Sequence, residues 1–342
     1  GSNLRDNQTL VEVDTATLIN AGKMQGDCDD IRFLDSQEAS TSEMSYWIEP
    51  ETCSTTATRI WVKVPEITGN KTVYLYYGNA TSTAASNASS TFVYFNDFET
   101  GVGFDTGSIS PNISTSTGSA KYGDLGLYAD TAAGYQQEYR DDVFSGQNLI
   151  WETWVREDAS TGNSSLAGIT VGHPDGGADR NGYQAVIDPR NGAGDTDDLY
   201  IREDYYSGDP TPPLCSDNSY EISQEVWYFL QFTWTRDNNL SASLYTDPAS
   251  SSPVLSCSGS DDSYTDGEYG VAVYETADWD NYRVRQYASS SVSASVGNEL
   301  DQSANVSQVH YRWRNDDDNE VNATWAAAED TPSSDLAQQN LL

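Results

Sequence analysis

The run "VWYFLQFTWTRDNNLSASLYTD" (Val226–Asp247) has a strict period of two. Tyr228, Leu230, Phe232 and Trp234 fall on one face, "RDNN" breaks the pattern, and Leu240, Ala242 and Leu244 return with the same period. A helix would scatter these side chains around its circumference, so the run predicts a β-hairpin with one buried face. The rest of the chain repeats the theme. "NLIWETWVRED" places Leu149, Trp151, Thr153 and Val155 together, and "GEYGVAVYE" and "DWDNYRVRQY" read as further strands. Strands at this spacing, separated by turn residues, predict a two-sheet β-sandwich over residues 92–287.

An earlier segment, residues 1–91, has the same character. "LVEVD" (Leu10–Asp14) and "DIRFLD" (Asp30–Asp35) read as strands. "RIWVKVPEI" sets Ile60, Val62 and Val64 against Trp61 and Lys63. "KTVYLYYG" sets Val73, Leu75 and Tyr77 against Tyr74 and Tyr76. "TATLINAGKM" (Thr15–Met24) is the one short helix expected here. Residues 288–309 form a Ser-rich linker by composition. Residues 310–342 are a strand-like C-terminal extension, too short to bury a core of its own.

Charge and cysteine usage restrict the function classes. With 53 acidic and 17 basic residues the net charge is −36, which disfavours nucleic acid and anionic membrane as partners. Only Lys23, Lys63, Lys71 and Lys121 are lysines. Such a surface suits either a high-salt environment or an ordinary acidic extracellular protein. Cys28, Cys53, Cys215 and Cys257 form no C-x-x-C pair, and His173 and His310 lie far apart, which argues against zinc. Four cysteines allow three pairings. Cys28–Cys53 and Cys215–Cys257 keep each bridge within one segment and imply an oxidising compartment. Sequons at Asn7, Asn70, Asn79, Asn87, Asn112, Asn163, Asn239, Asn305 and Asn322 fit an extracellular glycoprotein. The sequence holds no apolar span long enough to cross a membrane as a helix.

Two resemblances follow from particular residues. At "DCDDIRFLDS", "SYWIE", "IWVKVPEI" and "VYLYYGNATST" the first segment resembles domain of unknown function 2341. That family occurs in secreted and surface proteins of archaea and bacteria. The resemblance implies an all-β accessory domain, here a small N-terminal β-sandwich. Its members usually begin with a strand of the type W-x-Y-R-x-x-I-x-I. This chain begins at "GSNLRDNQTL", so the sheet is expected to lack a strand. At "YFNDFE", "EVWYFLQFTW" and "GVAVYETADWDNYRVRQY" the second segment resembles the concanavalin A-like lectin/glucanase superfamily in its laminin-G-like form. That resemblance implies a jelly-roll sandwich, often one that binds glycans or calcium.

The chemistry expected is sparse. A glycosidase needs two carboxylates flanking one bond, and Glu152 and Glu157 of "WETWVRED" fall on opposite faces of a strand. No G-x-S-x-G elbow is present. Juxtaposed first and last strands of a sandwich would bring Asp97, Glu99, Asp278 and Asp280 together as an oxygen-only calcium shell; the alternative is that such groups satisfy backbone donors. The acidic loops Asp188–Asp198 and Asn315–Glu320 are rival sites. Tyr183, Tyr205 and Tyr206, in or near loops, are the candidate glycan contacts. The leading expectation is a non-catalytic extracellular structural or adhesive protein. It would be a glycosylated filament subunit joined head to tail to other copies by strand exchange, or a repeat within a larger chain. The alternative is a glycan-binding accessory module of a polysaccharide-degrading system.

Overall fold

A computed structural model describes residues 4–36, 43–104, 113–144, 148–157, 166–173, 181–189, 198–205, 212–289, 292–300 and 324. Gly1–Val296 form one compact unit and Gly297–Leu342 a second. The C-terminal extension lies outside the described residues apart from Thr324.

The described chain is all-β apart from short helical turns. Strand β1 (Leu4–Val13) leads into helix α1 (Thr15–Asn20), then β2 (Arg32–Leu34), β3 (Tyr46–Ile48), β4 (Thr58–Ile67) and β5 (Tyr74–Tyr76). Asp14 caps α1 by accepting the Thr17 N–H at 2.9 Å, which satisfies one of the orphan donors of the first turn. The helix is shorter than its sequence signal, and Gly22 just beyond it is left-handed at φ 69°.

Strands β1, β4 and β3 form one small sheet and β2 and β5 another, all antiparallel. Ile60, Val62 and Val64 of β4 meet Phe33 and Tyr46 in a core of their own, with Val73, Leu75 and Tyr77 packed against it. The strand read from "LVEVD" begins earlier than its sequence signal, at Leu4. Strand β1 pairs along almost the whole of β4, from Leu4 opposite Ile67 to Val13 opposite Thr58.

The larger body begins after helix α2 (Ala88–Thr91), with β6 (Tyr94–Asn96), β7 (Ile113–Ser116), β8 (Gly126–Phe144) and β9 (Leu149–Glu157). It continues through β10 (Leu166–His173), β11 (Asn181–Ile187), β12 (Leu199–Tyr205), β13 (Cys215–Asp217), β14 (Tyr228–Trp234), β15 (Asn239–Tyr245), β16 (Leu255–Ser260) and β17 (Gly267–Gln286).

Strand β17 organises this body. Its first half pairs β10 and its second half pairs β9, with the change of partner at Glu275, whose φ is 72°. From β10 an arm runs through β11 and β12 to β13; from β9 another runs through β14 and β15 to β16. The arms face each other as the two layers of a sandwich. Tyr183 of one stands edge-on to Trp234 of the other at 5.3 Å, and the Cys215–Cys257 disulfide joins their far ends. The second disulfide, Cys28–Cys53, lies in the N-terminal part.

The hairpin follows the sequence pattern. Trp234 pairs Leu240, Phe232 pairs Ala242 and Leu230 pairs Leu244, with all six buried in the core. Strand β9 departs from it. Leu149, Trp151, Thr153 and Val155 are buried as expected, but so are Ile150, Glu152 and Trp154 on the other face. The N-terminal part covers that second face: Glu49 accepts from Arg283, which also holds Glu152, and the Gln286 N–H donates to Gln8 Oε1.

Candidate functional site

Where the N-terminal part meets the sandwich, charge is buried. Arg283 of β17 donates from Nε to Glu152 at 2.6 Å and from Nη1 to Glu49 at 3.0 Å. Arg285 donates to Glu152 from Nε and Nη2 at 2.9 and 2.8 Å, and Gln231 donates to it at 2.7 Å. Glu49 also accepts from Arg59 Nε and from the Trp61 indole, both at 2.7 Å. The guanidinium of Arg283 lies 4.8 to 5.7 Å from the ring centroids of Trp61, Phe229, Phe92 and Trp47. Burial pushes the Glu152 carboxyl up, but the two arginines outweigh it and hold the group down at about 2. Glu49 is lowered on the same balance of burial against Arg283 and Arg59.

A shallow cleft, with room for about one water molecule short of open solvent, opens on this joint. The N-terminal part contributes Trp47, Glu49 and Pro50. The loop before β8 contributes Tyr122, strands β9 and β14 contribute Trp154 and Phe229, the turn after β15 contributes Pro248, and β17 contributes Asn281 and Arg283. The β17 register shifts between Asp280 and Arg283, with Asn281 left-handed at φ 49°. This bulge presents consecutive side chains to different surroundings. Asp280 is thereby aimed at the neighbouring loop, where Oδ2 accepts the Lys121 and Tyr122 N–H groups at 2.7 Å each, and Oδ1 accepts its neighbour Asn281 N–H at 2.6 Å. Burial raises the Asp280 carboxyl to about 7 against those hydrogen bonds, with Glu99 adding to the rise. The fixed loop sets Tyr122 edge-on to Trp154 at 6.2 Å, and Trp154 edge-on to Phe229 at 5.5 Å. The Lys121 ammonium rests 4.8 Å from the Trp154 ring centroid and 5.4 Å from that of Tyr122.

The residues singled out from sequence are placed differently. Tyr183 is no glycan contact: it is fully buried, wedged against Trp234 and Tyr264, with its hydroxyl donating to Asp261 at 2.7 Å. The Tyr205 side chain and all of Tyr206 lie outside the described residues.

The four carboxylates expected to hold calcium serve other partners. Asp97 accepts the Glu99 N–H, Glu99 accepts those of Asp124 and Leu125, Asp278 pairs with Arg156, and Asp280 holds the loop described above. Among the described residues no three His, Cys, Asp or Glu side chains converge on one point. Most of the rival loop Asp188–Asp198, and all of Asn315–Glu320, lie outside the described residues.

Of the sequons, Asn70, Asn79, Asn87 and Asn239 are exposed. Asn7 is buried within β1, its amide oxygen accepting the Thr9 hydroxyl at 3.2 Å, so this sequon is closed in the folded chain. Asn112, Asn163, Asn305 and Asn322 lie outside the described residues. The cleft residues were not singled out from sequence. One signal for them was present: Arg283 and Arg285 flank core-facing Val284, so both arginines point to the face opposite the core.

The model of domain of unknown function 2341 matches residues 27–107. The match leaves β1 and α1 outside and runs through β6, so it spans the joint. No curated protein sequence matches the chain. Among solved structures, the carbohydrate-binding module CBM66 from Bacillus subtilis is similar at 16% identity and a TM-score of 0.38, over 47% of this chain and 86% of its own. A Bacillus subtilis protein of unknown function with a galectin-like fold is similar at 11% identity and 0.39, over 57% and 96%. The cellulose-induced protein Cip1 is similar at 15% identity and 0.38, over 59% and 100%.

Proposed function

We propose that the chain is an extracellular, non-catalytic saccharide-recognition unit whose binding site is the cleft at the joint. The observation that carries this reading is the convergence of Trp47, Tyr122, Trp154 and Phe229, from four separate elements, around the polar groups of Glu49, Asn281 and Arg283. Sugars present apolar C–H faces edged by hydroxyls. A shallow surface that shows the Tyr122 ring, with the edges of Trp47 and Trp154 beside fixed polar groups, offers a stacking platform for such a face rather than an enclosing pocket. The surroundings of Glu152 support the non-catalytic part. A buried carboxylate held ionised by two arginines has no proton to deliver and no route to a substrate. Two disulfides support an oxidising, extracellular compartment, and among the described residues no helix is long and apolar enough to cross a membrane. The filament reading drew on strands expected at both ends of the chain; the C-terminal one lies outside the described residues, and no observation among the described residues supports strand exchange.

A polysaccharide pull-down and a glycan array test the proposal, with wild type and Tyr122→Ala side by side. Tyr122 is partly exposed, so its removal empties the cleft wall without opening the core. Retention by wild type that falls at least about tenfold in the variant supports the reading. Retention of neither protein, or equal retention of both, overturns it.

A further inference from the structure

We propose that the partner of this protein's surface is a dense layer of hydrated cations drawn from solvent, and that the fold reaches its full stability only in molar salt. The inference is independent of the saccharide reading.

Three observations converge. First, the protein's own cations are turned inward. Arg59, Arg283 and Arg285 are taken up in and beside the joint by Glu12, Glu49 and Glu152, and Arg156 is taken up by Asp278. Among the described residues the exposed basic side chains are Arg5, Lys23, Lys71 and Arg236, and exposed Asp and Glu outnumber them several-fold. Arg5 and Lys71 already pair with Glu66 and Asp35. Among the described residues, the acid excess behind the net charge of −36 is thus left on the outside.

Second, the outer carboxylates are fixed by groups that carry no charge. One oxygen of each of Asp14, Asp27, Asp97, Glu99, Asp247 and Asp261 accepts a backbone N–H of a turn, loop or helix start. Such a bond favours the ionised carboxylate and holds it in place, but cancels none of its charge. None of the six makes an ion pair among the described residues. Folding therefore gathers like charges that the unfolded chain keeps further apart.

Third, the size of the excess calls for strong screening. A soluble small domain carries a net charge of about 2–8 in magnitude, and −36 exceeds that several-fold. Self-repulsion grows roughly as the square of the net charge and opposes the compact state. Salt shortens its reach from about 10 Å at 0.1 M to about 3 Å at 1 M. An acidic surface that kept its lysines and arginines outside would supply its own counter-charges. This one has to take them from solvent.

Thermal unfolding of the full chain, made in a bacterial host and followed by tryptophan fluorescence, tests the proposal. The melting temperature should rise by about 10 °C or more between about 0.1 M and 1 M KCl. MgCl2 should give the same rise at a several-fold lower concentration, because it contributes more ionic strength per mole. The combined variant Asp14→Asn, Asp27→Asn, Asp97→Asn, Glu99→Gln, Asp247→Asn and Asp261→Asn keeps an acceptor oxygen at every position and removes six charges. By the square law its KCl dependence should be weaker by about a third. Its response to sucrose, which acts by exclusion from the surface and not by screening, should match that of wild type. A wild-type melting temperature that is flat or falling in KCl overturns the inference. Equal potency of KCl and MgCl2, or a variant with the wild-type KCl dependence, assigns the gain to salt exclusion from apolar surface and also overturns it. The two-salt comparison needs no variant, so it decides the matter even where the combined variant fails to fold.

Discussion

Arg283 and Glu49 lie 234 positions apart in the chain, yet their side chains meet at 3.0 Å with both almost fully buried. The contact joins the N-terminal sheets to the longest strand of the sandwich. Burying such a pair costs much of what its attraction returns, so its presence does not imply a large net gain. Breaking it is another matter. Loss of Arg283 would leave Glu49 and Glu152 each short of one partner, Glu152 fully buried and Glu49 nearly so.

Arg283→Ala is therefore expected to destabilise the protein by about 3–5 kcal/mol. Urea unfolding followed by tryptophan fluorescence measures it. A loss under about 1 kcal/mol would show that the network is more hydrated than its burial suggests.

Two carboxylates give stability opposite pH slopes. Glu152 is held near 2, below its ordinary value of 4.5, so its contribution is complete above that value and is lost as pH falls towards 2. Asp280 is raised from 3.8 to about 7, so its contribution is complete below about 3.8 and is lost as pH rises to about 7. Melting temperatures from pH 3 to 8 should fall on the alkaline side in wild type, and Asp280→Asn should flatten that limb alone. An unchanged slope in the variant would assign the limb to other groups.

The Cys215–Cys257 bridge ties the ends of the two sandwich arms and closes a loop of 42 residues' separation. In the chain-entropy account, such a loop corresponds to about 4 kcal/mol. The Cys215→Ser/Cys257→Ser double variant should lower the denaturant midpoint accordingly. A midpoint within error of wild type would mean that the arms hold each other without the bridge.

Expression in a host that N-glycosylates, followed by peptide mass spectrometry, should find sugar at the exposed Asn70, Asn79 and Asn239 and none at Asn7. Glycan on Asn7 would require β1 to detach from β4.

Much of the fold was legible in the sequence because it is written with a period of two. The hairpin of β14 and β15, the buried face of β4 and the Trp61 face turned toward the sandwich all follow from alternation. Tyr183 was misjudged from its nearness to a loop, although Tyr183, Ala185 and Ile187 alternate as a core face of β11. The carboxylates expected to bind calcium are held by other groups. Sequence places carboxylates on neighbouring strands but does not show that backbone N–H groups and Arg156 reach them first. The cleft was illegible because its walls come from positions 47, 49, 50, 122, 154, 229, 248, 281 and 283, and no local pattern links them. Only folding brings them together, through a β17 bulge and a carboxylate that fixes the opposing loop.

The indole N–H resonances give the most direct test of the cleft as the binding site. Trp47 and Trp154 line it, whereas Trp151 and Trp234 sit in the sandwich core. On titration with a saccharide that the array selects, the Trp47 and Trp154 signals should shift with one common saturation curve while those of Trp151 and Trp234 stay in place. Saturable binding that leaves Trp47 and Trp154 unmoved would contradict the account.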